Sequence, residues 1–186
     1  YTKRDKVRRK ELVPRASDAD YWRDVGTLEQ YWLANLDLVQ PKPRFNVYGE
    51  RFPLYSAPGH FPPAKFVHEI PGRTGVAVNS MVADGVIVSG GTVRESVIGS
   101  GVYVHSWAMI EKSVLLGGAL RGGVHTETSI GRRCRVKNAI IDKNVRLSEN
   151  VSIGYDRDDD ERRGLRTVPI TGSSEHIVVV PKDFSL

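Results

Sequence analysis

The sequence predicts a mainly β protein: a parallel β-helix of hexapeptide repeats, preceded by a short helix and a proline-rich linker. Three observations carry that expectation. Between residues 76 and 154, aliphatic residues recur every six positions: Val76, Val82 and Val88; Val102, Ala108, Val114 and Leu120; Val124, Ile130 and Val136; Val145 and Val151. Glycine, serine and asparagine fill the intervals, and a six-residue period with small turn residues marks a solenoid of short strands. Residues 40–75 hold Pro41, Pro43, Pro53, Pro58, Pro62, Pro63 and Pro71, a density that forbids regular helix and suits an extended connection. Before them, Leu28, Tyr31, Trp32, Leu36 and Val39 fall at helical intervals.

Taken in order, residues 1–20 are polar and highly charged, with Pro14 interrupting, and read as a solvated tail. Leu12-Val13-Pro14-Arg15 within it resembles an engineered protease-cleavage linker. Residues 27–39 read as a helix. Thr27 is placed to cap it, Gln30 completes a capping-box spacing, and Pro41 and Pro43 end it. The domain division is thus 1–40, a linker at 41–75, and the β-helix at 76–186. Each triangular coil takes three units of six, so the repeat zone supplies about four coils. Phase slips after Val88, Leu120 and Val136 imply irregular corners there. An exposed end of such a stack needs a cap, for which the linker and Ile177-Val178-Val179-Val180 are candidates. An antiparallel β-sandwich is the alternative that valine-rich segments with turns allow.

Composition narrows the function. The chain has 186 residues, 40% hydrophobic and 26% charged, as in a globular domain. No run approaches the roughly 18 apolar residues of a membrane-spanning helix. One cysteine, Cys134, cannot pair internally, which suits a reducing compartment, and the cytoplasm is the expected location. The net charge of +5 is concentrated in Lys3, Arg4, Lys6, Arg8, Arg9 and Lys10. A second basic group, Arg157, Arg162, Arg163 and Arg166, is interleaved with Asp156, Asp158, Asp159, Asp160 and Glu161. That mixing cancels the long-range field a phosphate-backbone binder uses, and no aromatic residues are interleaved for base stacking. Nucleic acid is therefore not an expected partner, whereas a small phosphorylated ligand needs only two or three placed cations.

The densest constellation is Tyr21-Trp22-Arg23-Asp24-Val25-Gly26-Thr27, immediately before the helix. Free amides and the dipole there favour anions. Asp24 has the chemistry of a Mg²⁺ ligand, and Gly26 permits close backbone approach. By residue type alone, Asp24 serves equally as a structural cap and Trp22 as a packing residue.

Tyr21 to Asn35 followed by Leu36-Asp37-Leu38, then Pro62-Pro63-Ala64-Lys65-Phe66-Val67, Asn79-Ser80-Met81-Val82-Ala83-Asp84-Gly85, Ile87-Val88-Ser89-Gly90, Ala139-Ile140-Ile141-Asp142-Lys143, Ile153-Gly154 and His176 to Phe184 together resemble the C-terminal portion of bacterial ADP-glucose pyrophosphorylases. The resemblance covers about residues 17–186. It implies a left-handed coil, and a parent enzyme that joins ATP and glucose 1-phosphate, with Mg²⁺, into ADP-glucose and pyrophosphate for glycogen synthesis. It implies that Asp24 is a metal-binding aspartate and that Trp22 lines the glucose 1-phosphate side of the cleft. It implies phosphorylated-metabolite effectors at Lys143, Lys182 and Arg163, with Arg162, Arg166 and Arg121 as weaker candidates, and a homo-oligomer, a tetramer. The family's Gly-rich loop, first metal aspartate and substrate lysine are expected upstream of Tyr21, so this chain by itself is expected to be inactive. Two other classes fit a hexapeptide coil: an acyltransferase using His105 or His125 as base, and a purely structural module. The first leaves Tyr21 to Leu38 unexplained.

Overall fold

The computed structural model describes residues 21–49, 61–118, 120–121, 124–125 and 127–186. The basic tail, including Leu12 to Arg15, and residues 50–60 of the linker lie outside that range, as do the side chains of residues 119–126, with Arg121 and His125 among them.

The chain winds into a three-sided parallel β-helix. The first face stacks Lys65–Val67, Ile87–Ser89, Val102–Val104, Thr128–Ile130 and Arg146–Leu147. The second stacks Val76–Val78, Thr92–Arg94, Met109–Glu111, Arg135–Lys137 and Ser152–Ile153. The third stacks Met81–Val82, Val97–Ile98, Val114–Leu115, Ala139–Ile141 and His176–Val180, with Arg166–Pro169 antiparallel at its edge. The parallel coil, not the sandwich, is the architecture.

Each face sends two side chains inward, two residues apart, because alternate residues of a strand point to opposite sides. On the first face these include Val86 and Val88, Val102 and Val104, and Thr128 and Ile130. Ala108 and Ile110, then Cys134 and Val136, do the same on the second, and Ala139 and Ile141 on the third. All are buried, and all but Thr128, whose hydroxyl donates to the Gly117 carbonyl at 2.8 Å, belong to one continuous apolar core.

The coil is tighter than three sixes. Val76 pairs with Thr92, sixteen residues on, and Thr92 with Met109, seventeen on. The shortfall has a local origin. From second face to third the interior advances by five residues, from Val93 to Ile98, Ile110 to Leu115 and Val136 to Ile141. At that corner a residue with positive φ (Asn79, Glu95, Lys112, Asn138) precedes Ser80, Ser96, Ser113 and Ala139. Each serine hydroxyl donates to the carbonyl two residues back: Ser80 to Val78 at 2.8 Å, Ser96 to Arg94 at 2.6 Å, Ser113 to Glu111 at 2.7 Å. Each also accepts the backbone amide one coil on, from Ser96, Ser113 and Ala139, at 3.1 Å. The hydroxyls therefore replace one residue of backbone per coil, which a strict period of six cannot represent.

Two members of the six-residue series are corrected accordingly. Val114 lies between the inward Ser113 and Leu115 and is buried on the outside of the coil. Val76 aligns with Thr92, whereas Ala77 aligns with the inward Val93. The β-helix also starts before residue 76, since Lys65–Val67 pairs with Ile87–Ser89 and Glu69–Ile70 forms a hairpin with Arg73–Thr74. Residues 61–75, read as linker from their prolines, thus hold the first strand. The register jumps by 26 between Met109 and Arg135, where an antiparallel pair, Leu120–Arg121 with Val124–His125, extends from the third-to-first corner.

Helix α1, Leu28–Leu38, is capped by Thr27, whose hydroxyl accepts the amide of Gln30 at 3.1 Å. Its stripe of Leu28, Tyr31, Trp32 and Leu36 packs with the outward Val114, Ile140 and Ile177. Trp32 is 5% exposed and its indole donates to the Lys112 carbonyl at 2.7 Å. Glu29 accepts from the amide and hydroxyl of Thr171 at 2.6 and 2.8 Å. The helix is thereby fastened at two points to the third face. At the far end the terminal residues add a last layer, with Arg146 and Ser148 amides donating to Phe184 and Leu186 carbonyls at 2.9 and 2.6 Å. No helix among the described residues is long and apolar enough to cross a membrane.

Candidate functional site

Docking of α1 leaves an open cleft of about 360 Å³ between the helix and the serine corner, lined by Arg23, Trp32, Leu33, Leu36, Asp37, Gln40, Arg44, Glu95 and Lys112. Three cations and two acids thus surround an apolar floor. Asp37 is partly committed, accepting the Arg44 amide at 3.1 Å. Arg23 is the member of the Tyr21–Thr27 motif that reaches this cleft. Trp22 is 83% exposed. Asp24 is exposed as well, and its carboxylate accepts the Gly26 amide at 3.1 Å, a local turn that uses one oxygen. Among the described residues, no group of three or more His, Cys, Asp or Glu could hold a metal ion. A hard cation takes six or more oxygens, and Asp24 supplies one carboxylate, one oxygen of which already accepts the Gly26 amide. These residues alone do not fit Mg²⁺.

The sequence-derived effector residues divide between two places. Lys143 and Lys182 come together at the third-to-first corner. There the Asp142 amide donates to the Val180 carbonyl and the Asp183 amide to the Lys143 carbonyl, each at 3.0 Å, and Asn144 donates to the Asp183 carboxylate at 3.0 Å. Both lysines are exposed. They are 39 residues apart in sequence, and the pairing of Ala139–Ile141 with Val178–Val180 is what aligns them. Arg163 is not part of that corner. It closes helix α2, Arg157–Arg162, pairs with Asp159 and donates to the Ser152 carbonyl of the second face at 2.9 Å. Arg162 also pairs with Asp159, at 3.1 Å. His105, on the outside of the first face, is 3.2 Å from the Ser129 hydroxyl and packs against Tyr103.

Helix α2 also holds a group that the mixed-charge reading passed over. Asp156 caps it, accepting from the amides of Asp158 and Asp159 at 3.0 and 3.1 Å. Asp160 is 1% exposed, accepts the Gly154 amide at 2.9 Å and lies 3.3 Å from His176 Nε2. Burial raises its carboxyl above the ordinary aspartate range, against the lowering pull of the Gly154 amide and His176. The native chain therefore holds this proton at a pH where the unfolded chain has lost it. Stability from this group falls as pH rises between the two values. Asp160→Asn keeps an oxygen for the Gly154 amide and cannot ionise. Urea midpoints from about pH 3.5 to 7 should show the variant gaining on the parent as pH rises; a constant difference would remove Asp160 as the cause.

With this architecture in place, comparison with known proteins identifies the class. The model described as GlmU-like, C-terminal hexapeptide, matches residues 62–180. The chain belongs to that family of hexapeptide β-helices, and its coil is left-handed. More particularly, it is 46% identical over 168 residues to the glucose-1-phosphate adenylyltransferase of Bifidobacterium longum (strain DJO10A), covering 90% of this chain and 37% of that protein. It is 44% identical over 165 residues to the protein of that name from Deinococcus deserti, with 89% and 37% covered. For Parafrankia sp. the figures are 46% over 157 residues, 83% and 36%. The chain spans little more than a third of the length of the relatives it matches.

Proposed function

We propose that this chain serves as the C-terminal part of a glucose-1-phosphate adenylyltransferase, supplying regulation and subunit assembly to an enzyme that makes ADP-glucose and pyrophosphate from ATP and glucose 1-phosphate. The observation that carries this reading is the fastening of α1 to the third face. The helix that ends the Tyr21–Thr27 motif is held to the coil by Trp32 and Glu29, so displacement of the coil is passed to the segment bearing Trp22, Arg23 and Asp24. The relatives' names, at 44–46% identity over most of the chain, support the substrate assignment. The paired lysines, Lys143 and Lys182, support a phosphorylated-metabolite effector at the third-to-first corner, to which Arg163 contributes only by moving from its present partners. Mg²⁺ supplies charge neutralisation at the reacting phosphates in such chemistry. Here Asp24 is the one candidate to contact it, with the other ligands belonging to a nucleotidyltransferase domain. A cytoplasmic tetramer is the expected working form.

A domain graft tests this. This chain replaces the corresponding segment of the Bifidobacterium longum enzyme, and pyrophosphate release from ATP and glucose 1-phosphate is followed. The chimera should retain activity and sediment as the parent does, whereas the chain alone should release none. Lys182→Ala in the chimera should weaken activation by fructose bisphosphate or AMP. A folded but inactive chimera, or activity in the chain alone, overturns the reading.

A further inference from the structure

The corner joining the first face to the second carries a concentration of positive charge that the proposed function does not use. Trp107, 41% exposed, has three guanidinium groups around its ring. Those of Arg132 and Arg133 lie 5.1 Å from the ring centroid and that of Arg73 lies 5.6 Å away. Arg73 comes from the hairpin before the first complete coil, Trp107 from the corner after Val102–Val104, and Arg132 and Arg133 from the corner one coil further. They converge because the corner between them is Gly90-Gly91. A Cβ on Gly90 would press on Cγ of Arg73, so the missing side chain leaves the path by which Arg73 reaches Trp107.

The arrangement is fixed on one side. Arg73 Nε donates to the Ser106 hydroxyl at 3.0 Å, and that hydroxyl donates to the Ser89 carbonyl at 2.8 Å. A second Arg73 nitrogen lies 3.0 Å from His68 Nε2, which is 3.2 Å from the Ser89 hydroxyl. Among the described residues, none of the three arginines forms an ion pair. Glu69, on the strand paired with Arg73–Thr74, and Glu149, in the corner one coil beyond Arg132, form no ion pair with them. Three guanidinium groups sharing one ring repel one another, and the ring quadrupole offsets only part of that repulsion. An anion placed among them removes the rest, and the planar fork of arginine matches phosphate oxygens two at a time.

We propose that this corner is a binding site for a phosphate group, free or as a small phosphomonoester. Its chemistry is independent of the adenylyltransferase reading, and it occupies a different corner from Lys143 and Lys182. The charge gathers at one point and is bordered by Glu69 and Glu149. That pattern suits a single dianion, not the extended charge track of a nucleic acid.

Isothermal titration of the whole chain with inorganic phosphate, diphosphate and glycerol 3-phosphate, at constant ionic strength set by chloride, tests the proposal. Saturable binding at one site per chain is expected. Arg132→Gln or Arg133→Gln should weaken it about tenfold or more, and Lys182→Ala should leave it unchanged. Arg133→Lys keeps the charge, removes the fork and serves if the glutamine variants do not fold; it should weaken binding several-fold. Equal affinity for phosphate and glycerol 3-phosphate supports recognition of the phosphate alone, and tighter binding of the ester supports contact with its carbon skeleton as well. No saturable binding, unchanged affinity in folded arginine variants, or tighter binding of hexaglutamate than of any phosphate compound overturns the proposal.

Discussion

Trp32→Ala should destabilise the chain by about 3–5 kcal/mol, the range for deleting a large buried aromatic side chain. The indole is 5% exposed and lies among Val114, Ile140 and Ile177, and its N–H is committed to the Lys112 carbonyl. An isolated helix as short as α1, with 11 residues, is marginal in water, so its persistence depends on this contact. Truncation removes the packing, orphans the carbonyl and uncovers apolar surface on the third face together. The measurement is urea unfolding followed by far-UV circular dichroism, with Trp32→Phe beside it to separate packing from the hydrogen bond. The phenylalanine variant should lose about 1 kcal/mol of hydrogen bonding beyond its packing deficit. If Trp32→Ala unfolds at the parent's urea midpoint, α1 is not fastened to the coil as described, and the transmission route under the proposed function falls with it.

Gly154→Ala is expected to be nearly as damaging, although it adds a single methyl group. Gly154 has φ of +81°, where a side chain costs roughly 1–2 kcal/mol. A Cβ there would also run into the carbonyl oxygen of Lys137 on the coil beneath, and overpacking of that kind costs a further 1–3 kcal/mol or so. The displaced backbone would carry the Gly154 amide away from Asp160. A loss of about 2–5 kcal/mol in urea unfolding follows from these terms. Gly164→Ala is the control: its φ is also positive, but nothing lies within 4 Å of the added carbon, so only the conformational cost should appear. Equal losses in the two variants would show that the crowding at Lys137 is not real.

The architecture was legible because it rests on local rules. Aliphatic recurrence announces a coil, Thr27 announces a helix start, and the stripe from Leu28 to Leu36 names the face that docks, with Val39 falling beyond the helix as its C-cap. The interior register was legible only in part. A period of six carried Val114 to the wrong side of the strand, because the serine hydroxyls shorten each coil at one corner. A signal for that shortening was available in Asn79-Ser80-Met81-Val82, Glu95-Ser96-Val97-Ile98 and Lys112-Ser113-Val114-Leu115, three copies of one pattern with a serine second, buried in the latter two and half-buried in the first. Proline density likewise disguised Lys65–Val67, whose strand is fixed by pairing with residues 22 positions on. Sites were the least legible, since they are assembled across coils. Lys143 and Lys182 lie on adjacent rungs through a pairing 39 residues long. The gathering of Arg73, Arg132 and Arg133 at Trp107 has no trace in linear spacing.

The serine corner has a consequence for how such a molecule can change length. Each hydroxyl hands its acceptor to the next storey, so a deletion of one residue anywhere along that edge would strand a buried oxygen and misalign every storey above it. The nine-residue enlargement that takes the step from 17 to 26 sits at a different edge, the third-to-first corner. The Ala139 amide donates to the Ser113 hydroxyl, but Ala139 has no hydroxyl to accept from a further storey, and after Ile153 the chain leaves the winding for helix α2. The same edge thus acts as a ruler along which storeys are counted and as the mark at which counting stops, leaving growth by insertion to the other two edges.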